Sequence, residues 1–180
     1  QLGISRAPIR EALQVLVQEG LITSEPQKGK HVRQMTGKEI YDSYVVAGIL
    51  EGAGVAESLP LWTEANMETF RSVVRQMEGK ISYATKLDEL AEIDELFHAT
   101  LFMACDNTRL VEMARTSCAT ISKYLYYQHW ITMFTPREYA DRHHAVAEAV
   151  YSRDVKHVET ALRDHYKETG LRMAQFGKEA

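Results

Sequence analysis

The sequence predicts a mainly α protein: a small helix-and-hairpin head over residues 1–36, then an all-helical antiparallel bundle of six helices over residues 37–180. Three observations carry this reading. Apolar residues recur at helical spacing after residue 37, most clearly at Leu87, Leu90, Ala91, Phe97 and Leu101. Turn chemistry flanked by short β-prone runs occurs only before it, around Pro26-Gln-Lys-Gly29. Asp94 and His98 share the apolar stripe of their helix, four residues apart and so stacked one turn above the other. A carboxylate on a buried face is unfavourable unless something pairs with it, and a metal ion is an adequate partner.

The totals bound the class. A hydrophobic content of 45% with 26% charged residues describes a globular chain rather than a disordered one. No apolar run approaches the roughly 18 residues of a membrane helix, and nothing resembles a signal peptide, although the chain begins at Gln1. Cys105 and Cys118 form no disulfide framework, so a cytoplasmic location with no membrane association is expected. The net charge of −4 is unevenly spread: residues 1–36 carry five Lys/Arg against three Asp/Glu, and the acidic excess lies beyond them. A basic head on an acidic body makes the head the part that meets a polyanion.

In the head, Ser5 is a good N-cap, Pro8 in the first turn removes no intrahelical donor, and Gly20 marks the helix end. Ile9, Ala12, Leu13, Leu16 and Val17 predict the buried face, while Arg6, Arg10 and Gln14 form a polar row at i, i+4, i+8. Leu21-Ile-Thr-Ser reads as a strand, Pro26 to Lys30 as a turn, and His31-Val-Arg as the returning strand. A helix followed by a hairpin with a basic Lys28-Gly29-Lys30 tip is the back half of a winged helix-turn-helix.

Six helices are expected in the bundle. The first runs over about Lys38–Leu59 and stops at Pro60; the second begins after Thr63 and ends near Gly79. The third starts at Thr85, with Thr85-x-x-Asp88 resembling a capping box. The fourth runs from Asn107 through Tyr124 toward Trp130. The fifth opens at Thr135-Pro136-Arg-Glu138, where cap, first-position proline and reciprocal Glu coincide. The sixth follows Asp154 and reaches about Phe176. Gly48, Gly52 and Gly54 are unexpected in the first helix, at about 1 kcal/mol each; they imply either close packing by a neighbouring helix or a kink.

Of the seven histidines, His98, His143 or its neighbour His144, and His165 fall on inward stripes. His143 shares its stripe with Tyr139, Val146 and Val150, and His144 shares one with Ala140 and Ala147, which leaves the choice open. His31, His129 and His157 are read as non-ligands.

Two stretches resemble known families. SRAPIREAL, LVQEGLI and the GK-containing turn are similar to the recognition helix and wing of the GntR family of bacterial transcription regulators, with the front of that domain missing before Gln1. IDELFHATL, RHHAVAEAVYSRD and HVETALRDHY resemble the FCD ligand-binding domain of the FadR subfamily, in its six-helix VanR-like form. The resemblance implies Asp94, His98, His143 and His165 as ligands of one divalent ion per chain, and selects His143 over His144. Zn²⁺ comes first, with Ni²⁺, Mn²⁺ and Fe²⁺ also suited to three imidazoles and a carboxylate. On a six-coordinate ion two positions stay open for an organic acid, whereas tetrahedral zinc would be closed and structural. The family's usual effector-binding Arg, four residues before the position of Glu51, is Ala47 here, so the effector-binding residues are unassigned.

These features imply a homodimeric repressor on a palindromic operator of double-stranded DNA, controlled by a small carboxylate. Ser5, Arg6, Arg10, Gln14, Lys28, Gly29 and Lys30 are the expected DNA contacts. The competing reading is a helical-bundle metalloenzyme, because Glu95-x-x-His98 is half of a di-iron motif. It needs a second Glu-x-x-His, which the sequence lacks, so no enzymatic activity is expected.

Overall fold

The computed structural model describes residues 5–179. The head consists of α1 (Arg6–Gln18) and a two-stranded antiparallel sheet, β1 (Ile22–Glu25) and β2 (Gly29–Val32), with Ile22 opposite Val32 and Glu25 opposite Gly29. Gly20, at φ +72, ends α1: its N–H bonds Val17 O at 3.0 Å while Leu21 N–H bonds Leu16 O at 2.9 Å, a Schellman closure. Gly29 sits at φ +90, a conformation that a side chain disfavours, and closes the wing's tip. The expected buried face of α1 is not buried: Ala12 is exposed and Ile9, Leu13, Leu16 and Val17 are only partly covered, because the main partner of the helix among the described residues is the short strand β1.

The bundle starts with α2 (Gly37–Ser58), capped by a reciprocal Thr36–Glu39 box. It continues with α3 (Glu64–Ile81), α4 (Ala91–Leu101), α5 (Thr108–Ser117), the single turn α6 (Tyr127–Trp130), α7 (Pro136–Ser152) and α8 (Val155–Ala174). The predicted caps at Thr135 and Asp154 are formed: Thr135 and Glu138 make a full capping box, and Asp154 accepts from Lys156 N–H and His157 N–H.

Two helices depart from expectation. The Thr85–Asp88 box does not form. Thr85 bonds the Glu89 side chain instead, Leu87–Leu90 make a 3₁₀ turn, and α4 proper begins at Ala91. The helix expected from Asn107 to Trp130 breaks after Ser117 and resumes as a π-helical turn, Ile121–Leu125, before α6. Thr116 and Ser117 turn their hydroxyls back onto the carbonyls of Glu112 and Met113, which competes with helix propagation where the chain is rich in Ser and Thr.

α2 is the central helix and lies antiparallel to α8, its most extensive partner, with α5 on another side. Gly37–Leu61 is the one stretch among the described helices long and apolar enough to cross a membrane, and half of it is buried in the bundle. Its glycines serve close packing rather than a kink. A Cβ on Gly48 would lie 2.8 Å from Tyr166 Cβ, and one on Gly170 of α8 would lie 2.8 Å from Tyr44 Cβ. The main core gathers Phe70, Phe97, Tyr139 and Leu162. A second cluster of Met35, Ile40, Tyr44, Ile121 and Met173 sits where the linker meets the bundle.

Candidate metal centre and ligand cavity

α4, α7 and α8 bring His98, His143 and His165 together, with their ligating atoms all within 4.8 Å of one another. Asp94, one turn before His98, reaches two of them: its Oδ1 is 3.1 Å from His143 Nε2 and 4.0 Å from His98 Nε2. The apolar stripe that carries this pair is buried at Leu87, Leu90, Phe97 and Leu101. His143 is buried among Tyr139, Val146 and Val150. His144 points elsewhere, 3.2 Å from Glu78.

Each imidazole is oriented by a neighbour. His98 Nδ1 faces Glu51 Oε1 at 2.6 Å, and the Tyr166 hydroxyl donates to the other oxygen of Glu51, also at 2.6 Å. His143 Nδ1 faces the Tyr139 carbonyl at 2.8 Å; a carbonyl only accepts, so Nδ1 carries the proton and Nε2 presents a lone pair. That lone pair faces Asp94 Oδ1 across 3.1 Å, a contact that either a shared proton or a bound cation would relieve. His165 Nδ1 is buried without a hydrogen-bond partner. Arg142 fixes the α8 backbone there, its guanidinium donating to the His165 carbonyl, the Thr169 hydroxyl and the Glu168 carboxylate.

The electrostatics match these contacts. Burial opposes ionisation of Asp94, but the imidazoles of His143 and His98 outweigh it and hold the carboxyl below the usual range. Burial lowers His143 and, aided by the charge of Arg142, lowers His165 further, so both are neutral near pH 7. His98 differs: burial works against its charge, yet the carboxylate of Glu51 raises it to about 9.

The donor set fits a divalent ion. Ligands about 2.1 Å from an ion stand about 3.0 Å apart on adjacent octahedral corners and about 4.2 Å apart on opposite ones. The two separations at Asp94 fall in that range, and the imidazole ligand atoms, all within 4.8 Å of one another, would draw closer around an ion. With an ion bound, Glu51 would be the outer carboxylate of a carboxylate–histidine–metal triad. Sequence reasoning missed Glu51 as a site residue, although it is the lone charge in the apolar stretch from Tyr44 to Ala56.

Beside the cluster lies a cavity of about 240 Å³, lined in part by Glu51, Asp94, His98, Arg115, Lys123 and Tyr166. A smaller chamber of about 80 Å³ holds His143, His165, Tyr139 and Arg142 and shares Asp94, His98 and Trp130 with it. Glu95, the acid of the half di-iron motif, is exposed and paired with Lys123 at 2.9 Å, away from the imidazoles. Ala47 is fully buried in α2.

In the head, Ser5, Arg6, Arg10, Gln14, Lys28, Gly29 and Lys30 are all exposed. Ser5 is the N-cap of α1 by position, with no side-chain cap bond. Lys28 pairs with Glu25 at 3.0 Å, while Arg6, Arg10 and Lys30 make no ion pair among the described residues.

A basic helix and wing ahead of an all-helical domain define a DNA-binding transcriptional regulator, and comparison with known proteins agrees. Residues 42–168 match the FCD domain, and residues 1–32 match the bacterial regulatory proteins of the gntR family. The chain belongs to the GntR family, in the branch that carries an FCD domain. It is 28% identical over 145 residues to the Nta operon transcriptional regulator of Aminobacter aminovorans, covering 79% of this chain and 65% of that protein. It is 25% identical over 182 residues to the HTH-type transcriptional repressor RspR of Escherichia coli K12, covering 99% of this chain and 78% of the relative. In fold it is similar to E. coli McbR/YncC, with a TM-score of 0.73 at 18% identity over 97% of this chain and 82% of that one. These relatives are regulators rather than enzymes, so the metalloenzyme alternative is set aside.

Proposed function

We propose that this regulator is a cytoplasmic homodimeric repressor of a palindromic operator, and that its helical domain holds one divalent ion and a small organic acid that together set DNA affinity. Asp94, His98, His143 and His165 are the ion's ligands in this reading, zinc foremost. The observation that carries it is the facing of His143 Nε2 and Asp94 Oδ1 beside an unpartnered His165 Nδ1. When bound, the ion supplies fixed positive charge and open coordination for a carboxylate. The chain's own residues orient the imidazoles, and the neighbouring cavity admits the acid.

A route from the cavity to the head supports the switch. Ser122, Lys123, Tyr127 and Trp130 line the cavity. Between them, the Tyr126 hydroxyl accepts from Met35 N–H at 3.0 Å and donates to Met35 O at 3.2 Å. Met35 is the linker residue, buried just before α2. A ligand that displaces the π-helical turn therefore pulls directly on the segment that carries the DNA-binding head, and it changes DNA affinity by as much as it prefers one arrangement.

Elemental analysis tests the site. The native chain should hold about one ion, His143→Ala and His165→Ala should lose it, and His144→Ala should keep it. Full occupancy in the His143 variant would remove the assignment.

A further inference from the structure

The cavity beside the histidine cluster has two ends of different chemistry. Its floor holds Asp94, His98 and Glu51, the last almost wholly buried at 3% exposure. Its rim carries two cations, Arg115 near the end of α5 and Lys123 in the π-helical turn. Between them the wall is largely apolar, with Ala91, Ala99, Phe102 and Ala114.

The two rim cations are not equivalent. Lys123 Nζ is already held by Glu95 at 2.9 Å. Arg115 makes no ion pair among the described residues, and the acid one turn before it, Glu112, is engaged by Arg109 at 3.2 Å. A guanidinium is a rigid fork that matches a carboxylate with two parallel hydrogen bonds. Left without an acidic partner at the mouth of a cavity whose other end would take a carboxylate once the proposed ion is bound, it is suited to a second anionic group. Glu95 repels an anion from the Lys123 side and so directs it toward Arg115.

We propose that Arg115 reads the far end of the ligand, and that the site takes a small diacid: one carboxylate at the histidine end, a short carbon chain along the apolar wall, and a second carboxylate on Arg115. The cavity's 240 Å³ lies below the roughly 300–1,000 Å³ of pockets for drug-sized ligands, which limits the diacid to a few carbons. This inference rests on the reading of the cavity as an organic-acid site. It adds which acids that site selects and the residue that selects them.

Matched acids test it. 2-Hydroxysuccinate against 2-hydroxybutanoate, and 2-hydroxyglutarate against 2-hydroxypentanoate, differ chiefly in whether the far end is a carboxylate or a methyl. Each is titrated calorimetrically into the ion-loaded full chain and into Arg115→Ala and Arg115→Lys. In at least one pair the diacid should bind wild type tenfold or more tighter than the monoacid. Arg115→Ala should abolish that preference and leave monoacid affinity within twofold. Arg115→Lys should restore part of it, since lysine supplies the charge without the fork. A diacid preference that survives Arg115→Ala, or no preference in either pair while the acids still bind, overturns the Arg115 assignment alone. Failure of all four acids to bind the ion-loaded chain, or equal binding after the ion is stripped, overturns the organic-acid site and this inference with it.

Discussion

At the scale of single residues, the site is a balance of protons and cations. His98 carries its proton up to about pH 9 in the ion-free chain, because Glu51 stands 2.6 Å away. Its ordinary value is 6.5. A histidine raised on folding contributes stability that is complete below the unfolded value and lost as pH climbs through the folded one. Stripped protein should therefore lose thermal stability between about pH 6.5 and 9. Ion-loaded protein should be spared that loss, because the proton on His98 competes with the ion and its departure strengthens binding by as much as the stripped fold weakens. Melting curves across that window should show the gap between loaded and stripped protein widening with pH; a gap that narrows would contradict His98 as a ligand. His98 and His165 were legible from spacing, since inward stripes are a local property of helices, whereas spacing left His143 and His144 open and only the family resemblance chose between them. Glu51 was not, because its partner lies 47 residues away and only tertiary packing makes the buried acid of α2 the orienter of His98.

At the scale of elements, boundaries followed the caps closely where the N-cap was strong, as at Thr135 and Asp154. They failed where side chains competed with the backbone. Thr116 and Ser117 ended α5 early, and the π-helical turn that follows places Ser122 and Lys123 on the cavity and Tyr126 on the linker. No periodicity argument finds a π turn, because its apolar residues still fit a helical stripe. The element predicts its own test. Tyr126→Phe removes both hydrogen bonds to Met35 while keeping the ring's packing. Ion content and acid binding should stay within about twofold of wild type, while the response of operator affinity to acid, about 1–3 kcal/mol if coupling is typical, should shrink. Fluorescence anisotropy on operator DNA with and without acid measures it, and an unchanged response would move the signal route elsewhere.

At the scale of the whole molecule, charge separates the two tasks. The exposed cations of α1 and the wing project from a head with no buried residue in its helix, while the excess of acids lies on the bundle. Arg6→Ala and Arg10→Ala, made in the full-length regulator, should each weaken operator binding and flatten its salt dependence. Loss of discrimination between operator variants, at about 1–3 kcal/mol for a base contact, marks the one that touches a base edge. Titrations at several salt concentrations separate the two roles, and unchanged binding in both variants removes α1 as the recognition helix. The mainly helical class and the division into head and bundle were readable from periodicity and turn residues. The poor burial of α1 was not, because a stripe records which face seeks cover and not whether cover is present.

Glycines in a helix usually read as loose joints, but those on α2 and α8 do the reverse. With Gly48 pressed onto Tyr166 and Gly170 onto Tyr44, neither helix can roll or slide without atoms overlapping. The pair behaves as one stiff beam. That beam carries Glu51, His165 and Tyr166 along its length, and at its end Lys178 N–H holds the Met35 carbonyl at 2.9 Å. As the fixed frame of the molecule, it would leave the opposite side, α4, the short α5 and the π-helical turn, to shift if the proposed acid fills the cavity. In the proposed two-fold assembly the beam would keep its shape, and the distance between the two heads would follow how far the thin wall is pushed away from it.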